Sequence, residues 1–218
     1  MIRLLKKEFS LCLHPAALIM LGLSALVLVP NYPPSISFFY LTLGIFFICT
    51  SGRENHDIAF TMTLPVSRRQ AVLGRILFAC CLEMAQVALA GAFVAVKANL
   101  IGVTENLVGL DANLALVGEG FLLFGLFNRL FFPLWYRDVR KVGKPFLIAS
   151  AAAFLYVVLA VVSTYAVPFV RDRLDTADPA FLGEKAAFLG GSALVYLALT
   201  AWAARVSVRR FSALDLQL

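Results

Sequence analysis

Charged residues are scarce in this chain, and their scarcity excludes an ordinary water-soluble protein. Only 15% of the 218 residues are charged, whereas 61% are hydrophobic and the mean hydropathy is +0.87. Soluble domains carry roughly 25% charged and about 45–50% apolar residues. Backbone N–H and C=O groups must be paired inside a bilayer, and the apolar runs do not alternate. We therefore expect an all-α integral membrane protein.

Motifs for metal binding, phosphate binding and catalysis are missing as well. The two histidines, His14 and His56, lie far apart with no third ligand at metal spacing, so the sequence predicts no metal site. The chain has no Gly-x-x-x-x-Gly-Lys-Ser/Thr loop, and we expect neither ATP hydrolysis nor a cofactor of its own. No span centre holds a carboxylate pair or a nucleophile with its base, which makes an intramembrane enzyme the weakest alternative. The cysteines show no ligand spacing either, and we expect free thiols at Cys12, Cys49, Cys80 and Cys81.

Six apolar runs are candidates for membrane spans. A span needs about 20 residues to cross a hydrocarbon core of roughly 30 Å. We predict a single transmembrane domain, 1–218, with spans at approximately 15–30, 35–50, 70–96, 113–132, 146–170 and 186–205. Because the first two runs are short, an alternative has four spans and a re-entrant hairpin at the Asn31-Tyr-Pro-Pro-Ser stretch.

Basic residues concentrate in alternate loops, and this pattern predicts the orientation. Cytoplasmic loops retain an excess of lysine and arginine. One set of loops and flanks holds most of the nineteen basic residues: Arg3, Lys6, Lys7, Arg53, Arg68, Arg69, Arg75, Arg129, Arg137, Arg140, Lys141, Lys144, Arg205, Arg209 and Arg210. The other set holds Lys97, Arg171, Arg173 and Lys185. We therefore predict cytoplasmic termini and an external, acidic segment at 171–185.

The first fourteen residues predict an amphipathic helix along the inner membrane surface. Its apolar side would carry Ile2, Leu5, Phe9 and Leu13, and its polar side Arg3, Lys7, Ser10 and His14. The His14-Pro15 pair predicts the bend into the first span, since proline suits the first turn of a helix.

Residues 51–69, between the second and third spans, form the most distinctive segment. They read SGRENHDIAFTMTLPVSRR, with a polar entry, an aromatic-apolar middle and a Leu-Pro break. Ser67 is placed to cap the third span. An extended piece competes with a helix in this segment because apolar residues alternate at Ile58, Phe60, Met62 and Leu64.

The letters from Leu64 to Arg69, LPVSRR, followed by AVLGR at 71–75, resemble the "LPVSR…VLGK" stretch in permease subunits of the ABC-2 family of ABC transporters. The layout of six spans, basic N-terminal helix and acidic external segment is similar too. Arg75 stands where that family usually has lysine. The resemblance implies that 51–69 is a coupling segment whose helix docks on a separate ATPase subunit through Glu54, Asp57, Phe60, Leu64, Pro65, Arg68 and Arg69.

The resemblance also implies the rest of the assembly. It implies a second copy or a related permease, ATP and Mg on the ATPase partner, lipid contact and no nucleic acid. The expected place is the plasma (inner) membrane of a bacterium, and the expected activity is export of a peptide, lipid or hydrophobic compound. A membrane anchor or sensor that binds an ATPase without transporting remains the alternative from another functional class.

Glu83 is the acidic residue that we single out inside an apolar run, with Gln86 one turn away on the same side of the helix. An ionisable group at that depth is costly unless it is neutral, paired or facing water, which makes it a functional candidate. One interpretation is structural: a protonated Glu83 hydrogen-bonds to Gln86 or to a neighbouring helix. The other interpretations are a substrate pathway, a subunit interface or a proton relay.

Overall fold

The chain folds into a bundle of long apolar helices. The computed structural model describes residues 1–101 and 106–214. Every regular element in these two ranges is helical, which confirms the all-α class. The helices are α1 Ile2–Lys7, α2 Pro15–Gly22, α3 Ile36–Glu54, α4 Asp57–Thr63, α5 Arg68–Val96, α6 Leu114–Trp135, α7 Gly143–Ala166 and α8 Leu182–Ser212. Short π or 3-10 turns follow four of them: Glu8–Cys12, Leu23–Leu28, Lys97–Ile101 and Val170–Leu174.

Five helices are long and apolar enough to cross a membrane: α3, α5, α6, α7 and α8. A sixth candidate is the pair Ile2–Cys12 and Pro15–Leu28, which meet at 91°. Pro15–Leu28 rises about 24 Å, less than the roughly 30 Å hydrocarbon core. The described residues therefore hold five to six candidate spans. Because α3 is long enough by itself, the alternative with four spans is disfavoured.

The bend at His14-Pro15 is confirmed. Pro15 occupies the first position of α2, and the backbone N–H of Ala16 donates to Nδ1 of His14 at 3.1 Å. The predicted run 146–170 ends earlier than expected, because Val167 is extended and α7 stops at Ala166. The reason is Pro168, since a residue that precedes proline avoids the helical region.

The N-terminal helix, Ile2–Cys12, packs against the bundle along a side that the sequence analysis did not assign. It buries Leu4, Glu8 and Cys12 against the bundle, while Ile2 is 86% exposed. Lys7, assigned to the solvated side, has a side chain that is only 10% exposed. Of the predicted apolar side, Ile2 and Phe9 are exposed, whereas Leu5 and Leu13 pack partly against the core. Charged partners inside the bundle attract Lys7 and Glu8 inward.

Helix α6 lies at the centre of the bundle and packs mainly against α8 and α7. Glycines allow the close approach: a Cβ added to Gly120 would lie 2.6 Å from the ring of Phe38, and one added to Gly125 would lie 3.1 Å from the Cα of Tyr196. The other side chains of α6 fill the core with aromatic rings, including Phe124, Phe127 and Phe131.

The two ends of the bundle differ in construction. At the end that carries α4, called the α4 end here, α3, α6 and α8 finish while α5 and α7 begin. At the opposite end, residues 106–113 contact residues 170–185, where Asn113 donates to the carbonyl of Leu174 at 2.6 Å. There the buried Lys185 donates to Asp178 at 2.8 Å. The predicted external segment is thus folded onto the bundle.

Candidate functional site

The segment between α3 and α5 forms a short helix bounded by local signals. Asn55 ends α3, and His56 adopts a left-handed conformation with φ of 52° before α4 begins at Asp57. Leu64 is extended, as expected for a residue before proline, so α4 ends at Thr63. Residues Asp57–Thr63 are therefore helical, and the extended alternative is wrong for them.

The predicted cap of α5 is present. The backbone N–H of Gln70 donates to the hydroxyl of Ser67 at 3.2 Å, and the N–H of Ser67 donates to the Gln70 side chain at 2.9 Å. This reciprocal arrangement is a capping box, which stabilises the start of a helix by about 1 kcal/mol. It holds the turn between α4 and α5 in one conformation.

The seven predicted coupling residues divide into outward and inward groups. Four are exposed at the α4 end: Glu54, Phe60, Pro65 and Arg69. Leu64 and Arg68 are partly exposed, and Asp57 is buried. The outward group consists of one acid, one base and two apolar side chains, whereas Asp57 faces the protein.

Arg68 binds the end of the last helix. Its Nη1 donates to the carbonyl oxygens of Ser212 at 3.1 Å and Leu214 at 2.8 Å. These carbonyls lie at the C-terminal end of α8, where a cation is favourable because the helix dipole places negative charge there. Arg68 thereby joins the start of α5 to the end of α8.

Asp57 belongs to a charged cluster, which consists of Lys7, Glu8, Asp57 and Arg75. The Nζ of Lys7 lies 2.6 Å from Asp57 and 3.0 Å from Glu8, and the Nε of Arg75 lies 2.8 Å from Glu8. Arg75 also pairs with Asp57. All four side chains are at most 10% exposed. The cluster is neutral overall and joins the N-terminal helix, α4 and α5.

Contacts within the cluster shift the pKa values of Asp57 and Lys7. Burial opposes the charge on Asp57, but Arg75 and Lys7 outweigh it and hold the pKa of this carboxyl below its ordinary value. Burial likewise opposes the charge on Lys7, but the hydrogen bond to Asp57 and the charge of Glu8 raise its pKa. All of these shifts favour the ionised forms, so the cluster is held by charge.

A metal ion does not fit this cluster well, although Glu8, Cys12 and Asp57 place ligand atoms within 4.8 Å of one another. Both carboxylates are already paired with Lys7 or Arg75. Burial raises the pKa of the Cys12 thiol to about 12, and metals bind the thiolate. We assign no metal here.

A cleft of about 240 Å³ opens beside the cluster. It lies between the N-terminal helix and the corner where α3 meets α4, and its lining includes Leu11, Asn55 and Phe60. Leu11 is 65% and Phe60 is 48% exposed, so the cleft has an apolar rim. Asp57 and Cys12 also line the cleft, although both side chains are buried.

Inside the bundle, Glu83 contacts neighbouring helices rather than Gln86. Its Oε2 accepts hydrogen bonds from Asn128 at 3.0 Å and from the Tyr196 hydroxyl at 2.7 Å. Gln86 instead donates to the backbone carbonyl of Ser37 at 3.0 Å. This geometry fits the structural interpretation of Glu83, since one carboxyl joins α5 to α6 and α8.

A second buried acid, Glu119 in α6, was missed by the sequence analysis. It is 5% exposed and accepts a hydrogen bond from the Ser35 hydroxyl. The Tyr156 hydroxyl donates to the backbone carbonyl of the same residue at 3.4 Å. Glu119 lies within the fourth apolar run, so the criterion that identified Glu83 would have found it.

The bundle of apolar helices, together with the short helix between two of them, defines a multi-pass membrane protein. The family model described as ABC-2 family transporter protein matches residues 3–212. The chain therefore belongs to the ABC-2 transporter family, and the resemblance read from residues 64–75 is confirmed. Comparison with curated proteins and with solved structures gives no match.

Proposed function

We propose that the chain is the permease subunit of an ATP-driven transporter and that α4 is its coupling helix. The observation that carries this proposal is the two-sided character of α4. Its outer side presents Phe60, whereas Asp57 on its inner side pairs with Lys7 and Arg75. A movement of α4 caused by a partner on its outer side is therefore transmitted to α5 and to the N-terminal helix through the buried ion pairs of Asp57.

In this proposal, a separate ATPase subunit binds the outer side of α4 and moves it. The sequence has no phosphate-binding loop, so ATP and Mg belong to the partner. The exposed residues Glu54, Phe60, Pro65 and Arg69 form its contact, and the cleft beside Phe60 receives one of its side chains. The α4 end then lies in the cytoplasm with both termini, as the basic loops predict.

Membership of the family supports a proposal for the rest of the assembly. A second copy of this chain or a related permease completes the pathway in the inner membrane of a bacterium. The exported compound is a peptide, a lipid or another hydrophobic molecule. A membrane anchor or sensor that recruits the ATPase without transport is the rival function, and it predicts ATPase binding without substrate-dependent hydrolysis.

The test is purification of the tagged chain from its native membrane in mild detergent, followed by identification of bound proteins. We expect a stoichiometric ATPase subunit. The Glu54→Lys variant should lose most of this ATPase while its melting temperature is unchanged, because Glu54 is exposed. Asp172→Lys, a matched charge reversal on an exposed residue at the opposite end, should keep it. A chain that purifies alone, or an equal loss in both variants, contradicts the assignment of α4.

A further inference from the structure

The outward side of the N-terminal helix has the composition of a membrane-surface helix. Arg3, Lys6 and Ser10 are exposed along one edge, and Ile2 and Phe9 are exposed along the neighbouring edge. Such a combination of basic and apolar edges is typical of helices that lie between lipid headgroups and acyl chains.

The orientation of the helix agrees with this composition. The N-terminal helix meets Pro15–Leu28 at 91°, so it runs along the membrane surface if Pro15–Leu28 enters the bilayer. Its one acidic residue, Glu8, is 2% exposed and faces inward. The outward side therefore carries positive charge without a competing carboxylate of its own helix. Because the exposed Ile2 and Phe9 lie beside this charge, the surface suits an anionic membrane, which offers both headgroups and acyl chains.

The inward side of the same helix is tied rigidly to α4 and α5. Lys7 binds Asp57 at 2.6 Å and Glu8 binds Arg75 at 2.8 Å, and both follow directly after Lys6 in the chain. One turn earlier, Leu4 packs so closely on Gly74 that an added Cβ there would lie 2.6 Å from it. A displacement of the helix should therefore move Asp57, because Lys7 and Asp57 are already in direct contact.

We propose that Arg3 and Lys6 bind anionic lipid headgroups and that this binding holds α4 in position through the charged cluster. The inference rests on the proposed function, since it makes lipid charge a regulator of the coupling helix. A basic residue near an anionic surface contributes about fivefold to binding, so the two together contribute roughly 30-fold.

The test measures amide hydrogen exchange of the full chain in nanodiscs of phosphatidylcholine, with or without about one-third phosphatidylglycerol. We expect the anionic lipid to slow exchange in α1 and in α4 by about fivefold, the lower range of ordinary coupling between sites. The double variant Arg3→Gln/Lys6→Gln should abolish both effects. The charge-conserving variant Arg3→Lys/Lys6→Arg should restore them, which excludes misfolding as the cause.

The matched control is Arg137→Gln/Lys144→Gln, which removes two exposed charges at the same end of the bundle. These residues do not belong to the charged cluster, so the control should keep the full lipid effect. An equal loss in both double variants would mean that only net charge matters. Protection of α1 without α4 would mean that lipid binds but nothing is transmitted. Either result overturns the proposal.

This readout needs no ATPase, and so its failure is distinct from failure of the proposed function. If α4 responds to phosphatidylglycerol while no ATPase is recovered, the lipid response stands and the permease assignment falls. If an ATPase binds but neither its hydrolysis rate nor the hydrogen exchange of α4 changes with phosphatidylglycerol, the permease assignment stands and this inference is wrong.

Discussion

Replacement of Asp57 by asparagine should destabilise the protein far more than its place in a loop between two spans suggests. The change leaves two buried cations, Lys7 and Arg75, with a single carboxylate, Glu8. Removal of one partner from a buried ion pair costs about 3–5 kcal/mol, because the remaining charge has no compensation. Asparagine still accepts one hydrogen bond, so we expect a loss near the lower limit, about 3 kcal/mol in the free energy of unfolding.

A second substitution separates charge from packing. In Asp57→Asn/Lys7→Met the cluster is neutral again, with Arg75 and Glu8 paired at 2.8 Å. We expect this double variant to recover about 1–2 kcal/mol relative to the sum of the single variants, which is in the range of coupling between contacting residues. Glu54→Gln is the matched control. Its side chain is 63% exposed and pairs with Arg53 at 3.4 Å, so the loss should stay within about 0.5 kcal/mol.

The assay is unfolding of the purified chain in mixed micelles by increasing amounts of a denaturing detergent. With Trp202 replaced by phenylalanine in every variant, the fluorescence of Trp135 reports on the region, since this residue is 2% exposed and borders the same small cavity as Asp57 and Arg75. A loss for Asp57→Asn as small as that for Glu54→Gln would refute the argument. So would a double variant whose loss equals the sum of the two single losses.

Three further outcomes are expected. The lowered pKa of Asp57 makes its contribution to stability complete above about pH 4 and lost as pH falls through the folded value. The difference in unfolding free energy between wild type and Asp57→Asn should therefore be constant from about pH 5 to 9 and shrink in acid, and shrinkage near pH 6–7 would contradict this. Gly120→Ala should cost about 1–3 kcal/mol because Phe38 must move, whereas Gly191→Ala, with no atom within 4 Å of its added Cβ, should be neutral or slightly stabilising. Glu83→Gln keeps an acceptor for Asn128 and Tyr196 and should assemble normally; if Glu83 also belongs to the substrate pathway, the variant changes transport in proteoliposomes, and transport at the wild-type rate would leave Glu83 a structural residue.

Local signals in the sequence accounted for the class of protein and for most helix ends. Low charge and long apolar runs suffice for an all-α membrane bundle, since lipid leaves the backbone few alternatives. The bend at His14-Pro15 and the capping box at Ser67 depend on a few adjacent residues, and both are present. The same holds for the LPVSRR letters, which identified the family.

The direction that each polar side chain faces was decided by the tertiary structure. Asp57 looks like a solvated loop residue until Lys7 and Arg75, distant in sequence, meet it inside the protein. In the sequence, Arg68 resembles any other basic residue of a loop. Its hydrogen bonds go to the end of α8, which is more than 140 residues away along the chain. A sequence by itself determines which segments enter lipid, because transfer of a segment depends on its composition. Which charges are buried depends on the partners that long-range packing brings together, because a charge leaves water at a tolerable cost only where an opposite charge or a hydrogen-bond donor is already in place.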